Sequence, residues 1–200
     1  MRNISLCLLI TLLTQNLSAQ KKDANPWVLG IGVNIINDSG EILSGLFNLS
    51  ENYHYKNPIS ASIEKRFALN HGFEVLFSNN TFLTGKRVNG QILTEDRSFM
   101  AFDGHYKNYI SNLWQNTYRA IYEGYFLIGS GMTIIEDKNS ITGNLGLGIN
   151  WFLTEQMRLS TQAIGKVGLQ ANQGSASNYI QFNIGLIFRL QDSDNCGCFL

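Results

Sequence analysis

From residue 27 onward the chain repeatedly alternates apolar residues with small or polar ones. The clearest run is Ile141-Thr142-Gly143-Asn144-Leu145-Gly146-Leu147-Gly148-Ile149-Asn150-Trp151. Its odd positions are mostly aliphatic or aromatic, and its even positions are Thr, Asn and Gly. A period of two places successive side chains on opposite faces of a strand. Seven other segments read the same way, at about 27–36, 58–69, 73–78, 98–109, 124–135, 157–167 and 180–190. In the last, Ile180, Phe182, Ile184, Leu186, Phe188 and Leu190 oppose Gln181, Asn183, Gly185 and Arg189. The facing of the 124–135 strand is the hardest to assign.

The connections differ in length. Polar stretches at 37–57, 80–97 and 170–178 predict long loops after the first, third and seventh strands. Asn70-His71-Gly72 and Thr154-Glu155-Gln156 predict tight turns, Asn and Gly being tolerant of positive φ. Glu136 to Asn139 makes a further short loop, and 110–123 is long enough to hold a helical turn. Long loops on one side and short turns on the other are the habit of bacterial transmembrane barrels. Trp27, Phe67, Phe73, Tyr109, Trp151 and Phe188 gather at the short-turn rim, where rings suit a half-wet interface.

The first twenty residues do not alternate. Arg2 precedes an apolar run over 4–13, and Leu17-Ser18-Ala19 offers small residues before Gln20, the pattern of a signal peptide. Cys7 lies inside that run and is not placed as a lipidation site. The run is too short to anchor the chain, and no later stretch reaches the roughly 18 to 20 apolar residues of a spanning helix. A membrane-spanning form must therefore be a closed barrel, since open strands would leave backbone groups unpaired in lipid. The expected organisation is a signal peptide at 1–20, a barrel at 21–190 and a polar tail at 191–200.

Alternation alone also fits a soluble carrier barrel. A water-facing surface would need abundant Lys, Glu and Asp. Here the less apolar face is Gly, Ser, Asn, Thr and Gln, as a narrow eight-stranded interior requires. Only 15% of residues are charged and the formal net charge is zero. Removing Arg2 with the signal leaves 15 − 1 = 14 basic against 15 acidic residues. No nucleic-acid partner is expected from such a balance. The fold class is therefore all-β, an eight-stranded antiparallel up-and-down transmembrane barrel in the outer membrane, in contact with its lipid.

Phe102-Asp103-Gly104-His105-Tyr106-Lys107, Tyr125-Phe126-Leu127-Ile128-Gly129-Ser130-Gly131 and Gly146-Leu147-Gly148-Ile149-Asn150-Trp151-Phe152 resemble, in order and spacing, stretches of OmpA-type outer-membrane barrels. The resemblance covers roughly residues 27 to 190. It implies the barrel fold and supplies no catalytic residues. Many members of that family carry a peptidoglycan-binding domain after the barrel, and that activity is not expected here.

Charged residues assigned to the barrel interior are Glu64, Arg66, Glu74, Asp103, His105, Lys107, Arg158 and Arg189. Most are expected toward the short-turn half, with an Arg66–Glu74 pair across the turn. Buried charges must be paired, so the bland expectation is a plug, with an ion pathway as the alternative. Asp103 and His105 share a face, as an outer-membrane hydrolase or acyltransferase would want, but they too fit the plug. His54 and His71 show no supporting partners, and no metal-ligand spacing is present. The Gly-rich pieces lack a following helix and are not nucleotide fingerprints. No enzyme activity, cofactor or metal is expected. Cys196-Gly197-Cys198 is too close-spaced for an unstrained bridge, leaving free thiols or pairing with another molecule. The long loops are the expected contact points for extracellular or envelope protein partners. A narrow porin, a lipid-modifying enzyme and a soluble carrier remain alternatives.

Overall fold

The computed structural model describes residues 26–38, 48, 52–115, 120–136, 138–154, 156–169 and 178–190. The expected signal peptide, Cys7, the tail with Cys196 and Cys198, and most of the 37–57 and 170–178 loops lie outside the described residues.

Eight long strands follow one another in the chain: β1 (Trp27–Asn37), β2 (Lys56–Ala68), β3 (His71–Phe82), β4 (Arg97–Asn108), β5 (Tyr122–Ile135), β6 (Lys138–Phe152), β7 (Met157–Gly168) and β8 (Asn178–Leu190). Each pairs antiparallel with its neighbours in sequence, and β8 pairs back onto β1 from Trp27↔Leu190 to Asn37↔Ile180. The sheet is thus closed, with no open edge along that seam. Strands of 11 to 15 residues meet or exceed the roughly 9 to 11 that a tilted strand needs to cross hydrocarbon.

Alternation decides facing as expected. Leu145 and Leu147 are each 64% exposed and Ile184 is 45% exposed, whereas Asn144, Asn150, Gln181 and Asn183 are buried. β5, the hardest strand to assign, points Phe126, Ile128 and Met132 outward and Glu123, Tyr125, Leu127 and Thr133 inward. The interior is more apolar than a tube of glycine and amides. Leu76, Tyr109, Tyr125, Leu127 and Ile164 cluster within it, and Ile36, Phe82, Leu93, Phe99, Ala101, Ile135 and Tyr179 seal it near the long-loop end.

Glycines let the sheet bend tightly. Gly32 faces Gly185 across the β1–β8 seam. A Cβ on Gly32 would lie 2.4 Å from the Ile184 carbonyl oxygen, and one on Gly185 would lie 2.4 Å from that of Ile31. Gly129 and Gly131 do the same between β4 and β5: a Cβ on Gly129 would lie 1.9 Å from the Gly104 oxygen. Side chains at these points would force neighbouring backbones apart, so the inner wall closes only where they are absent.

Three local expectations are corrected. The β2–β3 turn is Leu69-Asn70, since Ala68 pairs with His71, and none of residues 70–72 has positive φ. The register shift between Arg66 and Ala68 inserts Phe67 as an extra residue, which moves the turn forward. Tyr109 is not a rim aromatic but fully buried, because β4 ends at Asn108 and the chain folds inward. The β4–β5 connection does hold a helical turn, a 3-10 segment at Ile110–Leu113, but Glu123 belongs to β5. Trp27, Phe67, Phe73, Trp151 and Phe188 do project outward around the short-turn rim.

Candidate functional site in the barrel lumen

The inward positions of β2, β3, β4, β5 and β7 carry the charges, and register decides which of them meet. Glu64 and Glu74 are direct cross-strand partners, an unfavourable pairing of like charges. Lys107, on the next strand, resolves it: its Nζ lies 3.2 Å from Glu64 Oε2 and 2.6 Å from Glu74 Oε1. The Tyr109 hydroxyl donates to the other Glu64 oxygen. Opposite Arg66 stands Gly72, where a Cβ would come within 2.6 Å of Glu64 Oε1; the missing side chain leaves room for the carboxylate.

The Arg66–Glu74 pair does not form. Arg66 instead makes a bidentate bridge to Glu123, with Nη1···Oε1 2.8 Å and Nη2···Oε2 2.6 Å, and its Nε lies 3.3 Å from Glu64 Oε1. Its guanidinium also stacks 3.8 Å above the Tyr109 ring. With Glu64 and Glu74 side by side, Lys107 takes Glu74, and Arg66 reaches across to β5. Arg158 shares Glu123 at 2.7 Å. Arg189 is half-buried in the next strand, close enough to Arg158 for the two cations to interact.

Asp103 and His105 enter the same network from above. Lys166 bonds Asp103 at 2.6 Å, and Asn144 Nδ2 donates to Asp103 at 2.9 Å. His105 lies 3.1 Å from the Asn144 amide and 3.4 Å from Glu74 Oε2. A continuous series therefore runs Lys166–Asp103–Asn144–His105–Glu74–Lys107–Glu64–Arg66–Glu123–Arg158, with four carboxylates facing four cations. It reaches beyond the short-turn half to which the sequence confines most of the charges. All eight charged groups are at most 7% exposed.

Lys166 and Glu123 were legible only in part. Lys166 stands on the polar face of the seventh alternating run but reads as one more interior lysine without a named partner. Glu123 sits at a strand start that alternation does not reach, because Tyr122 and Gly124 give no apolar beat. Among the described residues no cluster of three or more metal-ligating side chains is present.

The two other histidines do have partners. At the short-turn rim, His71 Nδ1 accepts from the Tyr106 hydroxyl at 2.6 Å, and the His71 ring stacks with Phe67 and Tyr106. At the opposite end, Tyr53–His54 adds a short antiparallel ladder to Ile36 and Asn37 at the end of β1. The β3–β4 loop forms a ribbon, Arg87–Val88 against Gln91–Ile92, turned by Asn89 (φ 47°) and Gly90 (φ 79°). That ribbon folds over the lumen mouth and buries Leu93 in the apolar seal.

A few contacts hold it there. Leu83 N–H donates to His54 Nδ1 at 3.0 Å, and His54 Nε2 lies 3.3 Å from the Arg87 carbonyl. Asn89 N–H donates to the Asp38 carbonyl at 2.6 Å, and Lys86 Nζ donates to the Tyr53 carbonyl. On the outside, Lys56 and Asp96 pair at 2.6 Å.

No protein-family model matches the chain, and no curated protein matches it in sequence. Solved structures do match in shape. OprG of Pseudomonas aeruginosa superposes with a TM-score of 0.56 at 11% identity, over 85% of this chain and 98% of that one. The fold is that of the small outer-membrane barrels. Neisserial surface protein A gives 0.54 at 9% identity, covering 84% and 97%, and AlkL in lipid bilayers gives 0.54 at 9%, covering 90% and 98%. The likeness to OmpA-type barrels read from the sequence thus holds for architecture.

Proposed function

We propose that this protein is an integral component of a bacterial outer membrane, a sealed barrel that holds its long loops as a surface for recognition. One observation carries this reading: the two faces of the wall have opposite chemistry. Across all eight strands the outward positions of the described residues hold two charged residues, one at each end of the wall: Lys56 at the long-loop end of β2, paired with Asp96, and Lys65 at the aromatic rim, its Nζ 4.9 Å from the Trp27 ring. A cation at that depth can reach the headgroups, whereas one at mid-depth would cost about 2 to 4 kcal/mol. No soluble carrier would present such a surface to water. The similar architecture of outer-membrane barrels supports the location.

The interior favours a scaffold over a solute channel. The charged series spans the lumen, Tyr109, Tyr125 and Leu127 pack beside it, and the ribbon covers the mouth. A small recess lined by Gly30, Gly32, Ser160 and Asn183 offers about 30 Å³, room for one or two waters. The reading is also non-enzymatic. Asp103 and His105 are 2% and 0% exposed, and both are taken up by lumen partners, so a lipid substrate has no path to them.

Reconstitution in planar bilayers tests the proposal, with a shift in gel mobility between unboiled and boiled samples as proof of folding. The expected result is a heat-modifiable protein that leaves bilayer current at baseline. Discrete conductance steps from the folded form would favour the narrow porin instead.

A further inference from the structure

The His54 ring has two bonds of opposite sense. A backbone N–H can only donate, so the bond from Leu83 requires a bare lone pair on Nδ1. A carbonyl oxygen can only accept, so the contact with Arg87 requires the proton on Nε2. The geometry fixes a neutral imidazole in one tautomer, fully buried and 4.5 Å from the Phe82 ring. Its own carbonyl is held by Asn80 Nδ2 at 3.1 Å, which ties the short Tyr53–His54 ladder to β3.

We infer that His54 is a latch that holds the 83–96 ribbon shut over the barrel mouth only while the imidazole is neutral, so that acid releases the ribbon as a lid. A second proton would occupy Nδ1, turning the Leu83 contact into two donors facing each other. Bonds to His54 occur at both Leu83 and Arg87, the two residues that bracket the ribbon's first turn, so losing them frees the segment at its root. What remains is the packing of Leu93 and Val88 on the apolar seal, the Lys86 and Asn89 bonds, and the exposed Lys56–Asp96 pair, a kind of contact that contributes little.

The surroundings point the same way. His54 lies outside the eight spanning strands, and burial, with Lys86 nearby, pushes its pKa down to about 4. The charged residues near it are Lys86, Arg87, which meets it through its carbonyl, and Asp38, two residues beyond its ladder partner Ile36. Asp38 is buried with neither carboxylate oxygen bonded, and burial raises it to about 8. While it stays buried, an acid of that kind is protonated below neutrality, so it does not change charge in the range where His54 does. The sign follows from linkage. A released His54 takes up its proton near the ordinary value of 6.5 and a latched one only near 4, so the open state binds more protons between them. Closure is complete above that window and weakens as pH falls through it.

Amide hydrogen exchange on the protein in bilayers or micelles reads this directly. Between pH 7 and pH 4 the protection factors of Leu83 and Leu93, corrected for intrinsic rate, should fall about a hundredfold. Leu127 and Gly146, in the barrel wall, should not change. His54→Phe keeps the ring against Phe82 but has no nitrogen; its ribbon should be poorly protected and insensitive to pH. His54→Asn, with a non-titrating acceptor, should keep partial protection and lose the pH dependence. Flat wild-type protection from pH 7 to 4 would overturn the latch. So would a pH dependence that persists in both variants, which would assign the titration to another group.

Discussion

Lys107 shows how much of the interior depends on a single side chain. It separates two carboxylates that the β2–β3 register sets face to face, and its ammonium also lies 4.6 Å from the Tyr125 ring. Lys107→Met keeps the bulk and removes the charge, leaving Glu64 and Glu74 opposed in a buried site. Breaking a buried pair from one side costs about 3 to 5 kcal/mol. Urea unfolding from lipid vesicles should show a loss of that size. The double change Lys166→Met with Asp103→Leu removes both partners of a more isolated pair and should lie near neutral in the same assay. A Lys107→Met barrel as stable as wild type would mean that water reaches these carboxylates.

At the scale of elements, the inward glycines govern closure. Gly129→Val places a branched side chain against the Gly104 backbone of β4, which cannot move without breaking the ladder. Its unboiled sample should lack the fast-migrating folded band. Gly90→Ala is the contrast: its left-handed φ of 79° makes alanine strained by about 1 to 2 kcal/mol, yet nothing lies within 4 Å. The barrel band should survive there and only the ribbon loosen. These elements also show what the sequence reveals. A period of two is a local signal, so the eight strands and the facing of Leu145 or Gln181 can be read directly. Whether Arg66 meets Glu74 or Glu123 depends on a bulge at Phe67 and on a wall that curls β5 toward β2. Neither leaves a mark within a few residues of Arg66. The roles of Tyr109 and His54 were hidden for the same reason, as each is fixed by a chain turn that polar loops do not announce.

For the whole molecule, the outward belt sets the energy of residence in lipid. Leu145→Arg places a cation on the exposed aliphatic face of β6, between Ile128 and Gly165 on the flanking strands. It should reduce folding stability in vesicles by about 2 to 4 kcal/mol if that position lies near the bilayer midplane. A change near zero would place Leu145 at the headgroups and shift the barrel along the membrane normal.

The Gly32–Gly185 contact joins the first strand to the last, so the ring is completed by residues at the two extremes of the barrel sequence. Until β8 arrives, β1 has no partner on that side, and its amides would face hydrocarbon unsatisfied. Entry into the bilayer and the final zippering of the wall are then a single event, one that a nascent chain cannot begin strand by strand.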